Sequence, residues 1–435
     1  MKGLVFVLLV SVSATLAVAA TACDVVVIGA GAAGTAAALQ AGRAGAKTVL
    51  VERGFQVGGD MTTGGVNFPG LFHAWGRQVI DGCGYELVTN AVAHAGGTLP
   101  DFTRPTGKRH WLHQITVNAP LYVLLAEEAL EKAGVELRYH TSPLSVMRDG
   151  DGWTLELVSP GERQTLRTKC VIDATGDGAA AALAGAKRMR EATTSPGSFN
   201  YVIDPHVDLA KLDLAALDRA YDAAVACGEL QPGDKRWPMK SYLGGKGGVG
   251  NYVTDADSST TARRIRTNRA GRAALLRMYR FLRRQPGLEK LELVAMSPEV
   301  GVRETYRVEG DYVLTHEDYV SGREFPDAVA YAFYPIDLHD KSTGVQPKHL
   351  AEGKVARVPL AALTVKGLRD FLAVGRCMSA DRLANAALRV QATCMATGQA
   401  AGEAAALAAK LGCDVRKVPL DELKRRLAAT GHIVP

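Results

Sequence analysis

The chain has 435 residues, 47% of them apolar and 22% charged, with 46 glycines and a formal net charge of +6. That composition excludes a disordered or fibrous protein and gives length for two or three domains around a sizeable core. Aromatic residues make up only 6%, which argues against a surface built to stack bases, and the mild basic excess alone names no partner.

Residues 1–22, MKGLVFVLLVSVSATLAVAATA, hold one basic residue, Lys2, then an apolar run with Ala-x-Ala endings at Ala17/Ala19 and Ala20/Ala22. The pattern fits a secretory signal peptide, which would place the mature chain in the periplasm or outside the cell. A retained anchor over residues 4–22 is the alternative, since that run is about long enough to span a bilayer. Acylation at Cys23 is a further one, weakened by Ala20 where a lipoprotein signal usually carries Leu. No twin arginine appears near the start, so an exported chain would cross unfolded and meet any cofactor outside.

In chain order the pattern gives a strand over 24–28, a Gly-rich turn, an Ala-rich helix over 32–44 closed by Gly45, and a strand over 47–52. A helix over 119–133 and a strand over 135–140 follow. The alternating stretches 144–147 and 153–158 flank turn residues and read as a hairpin. A strand over 169–173 runs into a second Gly-containing turn. From 193 to about 354 the alternation weakens and Pro and Tyr rise, which reads as an inserted α+β substrate domain. The first style returns from 355 to 435, with a strand over 371–374 and a long Ala-rich helix over 392–410. The expected division is therefore a leader (1–22), a first cofactor part (23–192), the insertion (193–354) and a second cofactor part (355–435).

Gly29-x-Gly31-x-x-Gly34 lies directly between the first strand and the first helix. The first glycine permits the tight turn, the second lets backbone approach a pyrophosphate, and the third lets the helix pack closely. Glu52 ends the next strand, where a carboxylate can accept from both hydroxyls of an adenosine ribose; it also disfavours NADP, whose 2′-phosphate it would repel. Strand, turn, helix, strand and acid in that order indicate dinucleotide binding. A second glycine cluster, residues 244–251, contains the same spacing and resembles a phosphate loop. Asn251 stands where such a loop needs Lys, and Tyr252 where it needs Ser or Thr, so a turn-forming loop is expected there.

DVVVIGAGAAGTAAALQAGRAGAKTVLVERGFQVGG resembles the opening of FAD-dependent oxidoreductases with a glutathione-reductase-type Rossmann fold. GGDMTTGGVNFPG, CVIDATGDGAAAALAGA, EVGVRETYRVEGDYVLTHED, YPIDLH and GRCMSADRLANAALRVQATCMATGQAAGEAAALAAK continue the likeness in order. They are similar to the FAD-dependent oxidoreductase family that includes the flavin-binding part of ferredoxin:heterodisulfide reductase. The resemblance implies FAD as cofactor and assigns it a shell of residues. Gly29, Ala30, Gly31, Ala32, Ala33 and Gly34 would meet the diphosphate, with Glu52 and Arg53 at the ribose. Gly58, Gly59, Thr62, Thr63 and Gly64 would approach the ribityl chain and ring edge. Leu144, Thr175, Gly176 and Asp177 would sit along the adenosine diphosphate, and Gly375 and Arg376 along the ribityl and pyrophosphate. Thr397 and Gly398 would bring a helix to the flavin pyrimidine, with Gly402 on the same face; close packing of that helix is the competing reading of the glycine pair.

The seven cysteines form no C-x-x-C. The iron–sulfur cluster of some relatives therefore has no motif here, dithiol chemistry is not expected, and no metal site is visible. Arg303 and Arg307 are candidates to clamp a substrate oxyanion. Asp337 and His339 alternate on an extended stretch and so share a face, where His339 can act as acid or base. All have a purely structural reading as domain-bridging ion pairs, and His73 is a weaker candidate. Nine arginines over 263–284, with Ile265, Leu275, Leu276, Tyr279 and Leu282 among them, read as an amphipathic helix with a solvated basic face.

The expectation is an FAD-dependent enzyme passing hydride from a small organic substrate to the flavin, with an unidentified electron acceptor. One dinucleotide fold gives no second NAD(P) site. A redox-neutral FAD-binding envelope protein and an RNA-modifying flavoprotein are the alternatives, although an exported chain makes a nucleic-acid partner unexpected; transient membrane association remains compatible.

Overall fold

The computed structural model describes residues 21–107, 109–244, 249–340, 344–345 and 348–435. Most of the expected leader, residues 1–20, lies outside the described residues, as do residues 245–248 of the second glycine cluster.

The first strand, β1 (Thr21–Ile28), begins earlier than expected: Thr21 and Ala22 already pair with Leu166 and Arg167. Cys23 is buried in it, and burial pushes its thiol up to about 11. Next come α1 (Ala32–Arg43), β2 (Thr48–Val51), α2 (Cys83–His94) and α3 (Ala119–Lys132). Then follow β3 (Glu136–Arg138) and a meander of β4 (Ser142–Asp149), β5 (Gly152–Ser159) and β6 (Glu162–Asp173). β6 is much longer than the expected 169–173 because its first half pairs antiparallel with β5 while its second half runs parallel to β1.

The main sheet has the order β3-β2-β1-β6-β5-β4. One further strand, Phe371–Ala373, joins the last three residues of β6 in parallel. Its central strands are apolar on both faces, as a covered parallel sheet requires. Val25 and Val27 enter one core with Leu50, Ile172 and Leu372, whereas Val26 and Ile28 enter another with Val49, Val171 and Phe371. The period-2 alternation of the strand thus feeds two layers.

The intervening segment has its own small antiparallel sheet, with β7 (Gly197–Asp204) central between β8 (Val249–Val253) and β9 (Glu292–Met296). Helices α4 (Leu214–Ala226), α5 (Met239–Gly244) and α6 (Thr261–Arg283) surround it. Its separate core runs from Phe199 to Val302, narrower than the expected 193–354. Leu314, Tyr319 and Val329 join the first core instead. Asn200 Nδ2 donates to the Gly64 carbonyl and the Glu299 amide to the Thr63 carbonyl, which seats this unit over the loop after β2.

The chain returns through α7 (Arg382–Leu388) and α8 (Gln391–Leu411), which lies along α1. In α6 the buried stripe is Thr267, Gly271, Ala274, Leu275, Met278, Phe281 and Leu282, at helical spacing. Ile265 and Leu276, expected on the apolar face, fall off that stripe and are exposed. Nor is the basic face simply solvated: Arg263 pairs with Asp257, Arg277 with Asp234 and Arg284 with Glu229. Among the described residues no helix is long and apolar enough to cross a membrane.

Candidate functional site

The parallel strands all end on one side, at Ile28, Val51, Arg138, Asp173 and Ala373. A cavity of about 480 Å³ opens there, at the sheet edge where open α/β folds take nucleotides. Gly31 caps α1 with no side-chain acceptor, so the first-turn amides are left for a ligand. A Cβ on Gly31 would point into open space. Gly29 has φ +100°, and a Cβ there would lie 2.6 Å from the Ala174 carbonyl oxygen, so only glycine fits the turn.

Gly58 and Gly59 close the opposite wall. The Gly58 amide donates to the Ala30 carbonyl at 2.7 Å, and Gly59 packs directly on the Gly31 Cα. Glu52 accepts the Ala30 amide with Oε2 and the Gly54 amide with Oε1, each at 2.7 Å. A carboxylate has further lone pairs, so these bonds orient it while leaving capacity for ribose hydroxyls. Glycine turn, open helix start and oriented acid fit a dinucleotide.

A family model described as FAD dependent oxidoreductase matches residues 24–427. The chain belongs to the FAD-dependent oxidoreductase family. The flavoprotein is an enzyme, and its cofactor is FAD. It is 29% identical over 158 residues to the digeranylgeranylglycerophospholipid reductase of Methanocaldococcus jannaschii, a match spanning 35% of this chain and 38% of that relative's length. A geranylgeranyl bacteriochlorophyll reductase-like structure from Thermoplasma acidophilum superposes with a TM-score of 0.45 at 14% identity, over 94% of this chain and 84% of that one. The p-nitrophenol 4-monooxygenase PnpA of Pseudomonas putida DLL-E4 gives 0.44 at 14%, over 94% and 87%.

Of the flavoprotein's expected cofactor shell, Gly29, Gly31, Ala32, Ala33, Glu52, Arg53, Gly58, Gly59, Thr63, Thr175, Gly176, Gly375 and Arg376 line this cavity. The other expected residues do not. Ala30 is buried and acts through its amide on Glu52. A Cβ on Gly34 would fall on the Gly29 carbonyl, so Gly34 serves the close helix packing. Thr62 Oγ1 donates to the Val57 carbonyl, and the Gly64 carbonyl accepts from Asn200. Leu144 is half-exposed on β4, one residue beyond the lining Pro143.

Asp177 is buried rather than turned to the cavity. Its carboxylate accepts from Ser258 Oγ at 2.8 Å and Thr305 Oγ1 at 2.7 Å, and pairs with Arg376 at 3.1 Å and Arg53 at 3.4 Å. Burial raises its pKa, but Arg376 and Arg53 outweigh that and hold it below the ordinary value. Thr397 and Gly398 sit in the α8 interior: Thr397 Oγ1 donates to the Thr393 carbonyl, and Gly398 and Gly402 pack on Ala33 and Ala37 of α1. Close helix–helix packing, not approach to the flavin, explains that glycine pair.

A larger cavity of about 710 Å³ adjoins the first, and Asp60, Arg376, Arg389 and Gln391 line both. Arg303, Asp337 and His339 line it too. His339 Nε2 is 3.0 Å from Asp337 Oδ2, and its Nδ1 is 3.3 Å from Tyr252 Oη. Burial, reinforced by the charges of Arg303 and Arg389, holds the imidazole down at about 4 against the pull of Asp337. Burial raises Asp337, but the His339 hydrogen bond and Arg389 hold it at about 2. The dyad therefore rests as neutral imidazole and carboxylate at neutral pH, with Nε2–H donated to Asp337 and Nδ1 as acceptor.

Arg307 does not reach this cavity: its guanidinium is buried, donating to the Ala380 carbonyl at 2.9 Å and Glu191 at 2.7 Å. His73 stacks on Phe102 at 3.8 Å between ring centroids and is likewise absent from the lining. The sequence reading missed Asp60, Arg236, Arg264, Arg389 and Gln391. Asp60 lay inside the GGDMTTGG motif, so that signal was available; burial raises its pKa. Arg264 looked like one of nine surface arginines, yet it enters the cofactor cavity at the start of α6, donating to the Ser258 carbonyl at 2.9 Å.

Proposed function

We propose that the enzyme oxidises an organic substrate held in the larger cavity, a hydride passing from the substrate to the flavin N5. FAD, when bound, supplies the hydride acceptor. The observation that carries this reading is the shared wall: Asp60, Arg376, Arg389 and Gln391 face both cavities, so a molecule in one abuts a molecule in the other.

The chain's own groups then have separate tasks. His339 is neutral, and its Nδ1 accepts from the Tyr252 hydroxyl at a long 3.3 Å, so the proton a donor hydroxyl or amine releases as hydride leaves can reach the imidazole by displacing that bond or by passing through Tyr252. Asp337 fixes the imidazole tautomer and orientation through Nε2–H. Arg389 donates to the Asp337 carbonyl at 3.0 Å and holds that stretch against the end of α7.

Anaerobic mixing of the FAD-loaded protein with alcohols, amines, sugars and hydroxy acids tests the proposal through the visible flavin band. A true donor bleaches the band, and His339→Gln slows the bleaching by about 100-fold or more. A flavin that dithionite reduces but no donor ever bleaches would overturn it.

A further inference from the structure

The larger cavity carries an uncompensated positive charge. Four arginines line it, Arg236, Arg303, Arg376 and Arg389, against two carboxylates, Asp60 and Asp337. Arg376 is answered by Asp177 at 3.1 Å and Arg389 by Asp337 at 3.7 Å. Among the described residues the other two have no carboxylate partner. Among the described residues Arg303 donates only to neutral acceptors, the Pro196 carbonyl and Ser198 Oγ, the latter at 2.8 Å. Arg236 Nη1 reaches Asn200 Oδ1 at a long 3.3 Å, and its buried Nε has no hydrogen-bond partner. Among the described residues neither forms an ion pair, while the carboxylate of Asp337 is already shared by His339 and Arg389.

The two guanidiniums also share one aromatic neighbour. Both lie over the Tyr252 ring, at 5.1 Å for Arg236 and 5.7 Å for Arg303. Burial and the neighbouring Arg236 depress the Arg303 pKa to about 9. Two like charges held in a low-dielectric pocket repel and stay poorly solvated unless an anion joins them. Their planar forks match a carboxylate better than a neutral group.

The mouth has a different chemistry. Phe68, Trp111 and Trp237 line the same cavity with 39%, 56% and 53% of their surface exposed. Large exposed aromatics gathered at one opening mark a surface that meets apolar ligand.

We infer that the substrate is an amphipathic carboxylate, its head held between Arg236 and Arg303 and its apolar body against Phe68, Trp111 and Trp237. This rests on the reading of the larger cavity as the substrate site and gives that substrate a chemical class. The arginine pair fixes one end, the aromatic rim grips the body, and His339 meets the bond to be oxidised.

The test is calorimetric titration of the FAD-loaded protein with trans-cinnamate and, separately, with the isosteric neutral cinnamamide. Cinnamate is expected to bind about tenfold more tightly or better, the ordinary worth of a charge-assisted hydrogen-bond pair. Arg303→Gln and Arg236→Gln each remove that preference, and Arg303→Lys keeps part of it. Variants are scored only with a wild-type flavin spectrum. Arg236→Gln, at a partly exposed side chain, decides the matter should Arg303→Gln not fold. Equal affinity for acid and amide, failure of the acid to bind, or a preference that survives both glutamine variants overturns the inference. The outcomes separate from those above. A neutral donor that bleaches the flavin of wild type and both variants at equal rates sinks the carboxylate site and leaves the oxidation. Arginine-dependent cinnamate binding in a protein no donor reduces does the reverse.

Discussion

A Cβ placed on Gly398 would fall 2.1 Å from the main-chain oxygen of Ala33. One turn further along α8, a Cβ on Gly402 would come within 2.2 Å of the Ala37 oxygen. The two longest-buried helices of the cofactor domain thus meet backbone to backbone, and α1 begins at the Gly31 turn that faces the cofactor cavity. Gly398→Ala gains about 1 kcal/mol of helix propensity, but a rigid backbone clash costs more. A net loss of roughly 2 kcal/mol is expected, with weaker FAD retention because α1 must move. Thermal unfolding and flavin-fluorescence titration measure both. A variant that melts like wild type would show that the helices do not touch.

The sequence made the cofactor half legible because a glycine needed for a turn or a close approach has no substitute. Gly29 makes the tight turn and Gly34 the close packing that their spacing implied, Gly31 faces open space at the start of α1, and Glu52 lies where the strand count put it. Thr397 and Gly398 misled because a glycine that lets backbone approach a ligand and one that lets backbone approach a helix look identical in one dimension. Asp177 misled for a related reason: an acid after a strand can face a ligand or an arginine, and only the fold brings Arg376, 199 residues away, to its side. Arg236 was illegible because its meaning depends on the lack of a carboxylate beside it, and Arg264 because only the fold turns the start of α6 towards the cofactor cavity.

Glu52 is expected to be costly to change in either direction. Its two oxygens take the amides of Ala30 and Gly54, so Gln would set an NH₂ group against an amide donor. Glu52→Gln should lose about 1–3 kcal/mol of FAD binding, roughly five- to 150-fold in Kd, and Glu52→Ala at least as much. Equilibrium titration of the apoprotein with FAD checks this. A Kd unchanged in both variants would mean the acid meets no ribose.

Asp177 has a buried side chain that serves Arg376, Arg53, Ser258 and Thr305 together. Asp177→Asn strands the Arg376 guanidinium without its counter-charge, a loss of about 3–5 kcal/mol for a broken buried pair. Chemical denaturation should show it as a lower midpoint. Asp177→Asn together with Arg376→Gln should recover part of the loss, which a merely steric role for Asp177 would not allow.

Acid should unfold the protein earlier than its carboxylates alone require. Burial holds His432 at about 4, with Nε2 2.8 Å from the Val329 carbonyl, and it holds His73 at about 4 as well. Between an unfolded value of 6.5 and 4 the unfolded chain binds the proton that the folded chain refuses, so stability is intact above that window and lost as pH falls through it. The buried His432 contributes on the order of 3 kcal/mol by pH 4. Melting temperatures from pH 7 to 4 should therefore drop steeply, and His432→Gln, which keeps a donor for Val329, should flatten the slope.

His339 makes the sharpest statement about pH. An ordinary histidine base would give kcat/KM an inflection near 6.5. Burial and the charges of Arg303 and Arg389 lower this imidazole to about 4 even with Asp337 beside it, so its basic form persists throughout the range from 8 to 5. The expected profile with a donor substrate is flat across that range and falls only as pH approaches 4. Asp337→Asn should cut the rate by about 100-fold or more, because Nε2–H loses its charged acceptor and the productive tautomer is no longer favoured. It should not move the inflection upward, since removing a carboxylate removes the group that favours imidazolium. Steady-state rates from pH 4 to 8 for wild type and Asp337→Asn decide the point, and a wild-type inflection between 6 and 7 that disappears in His339→Gln would contradict it.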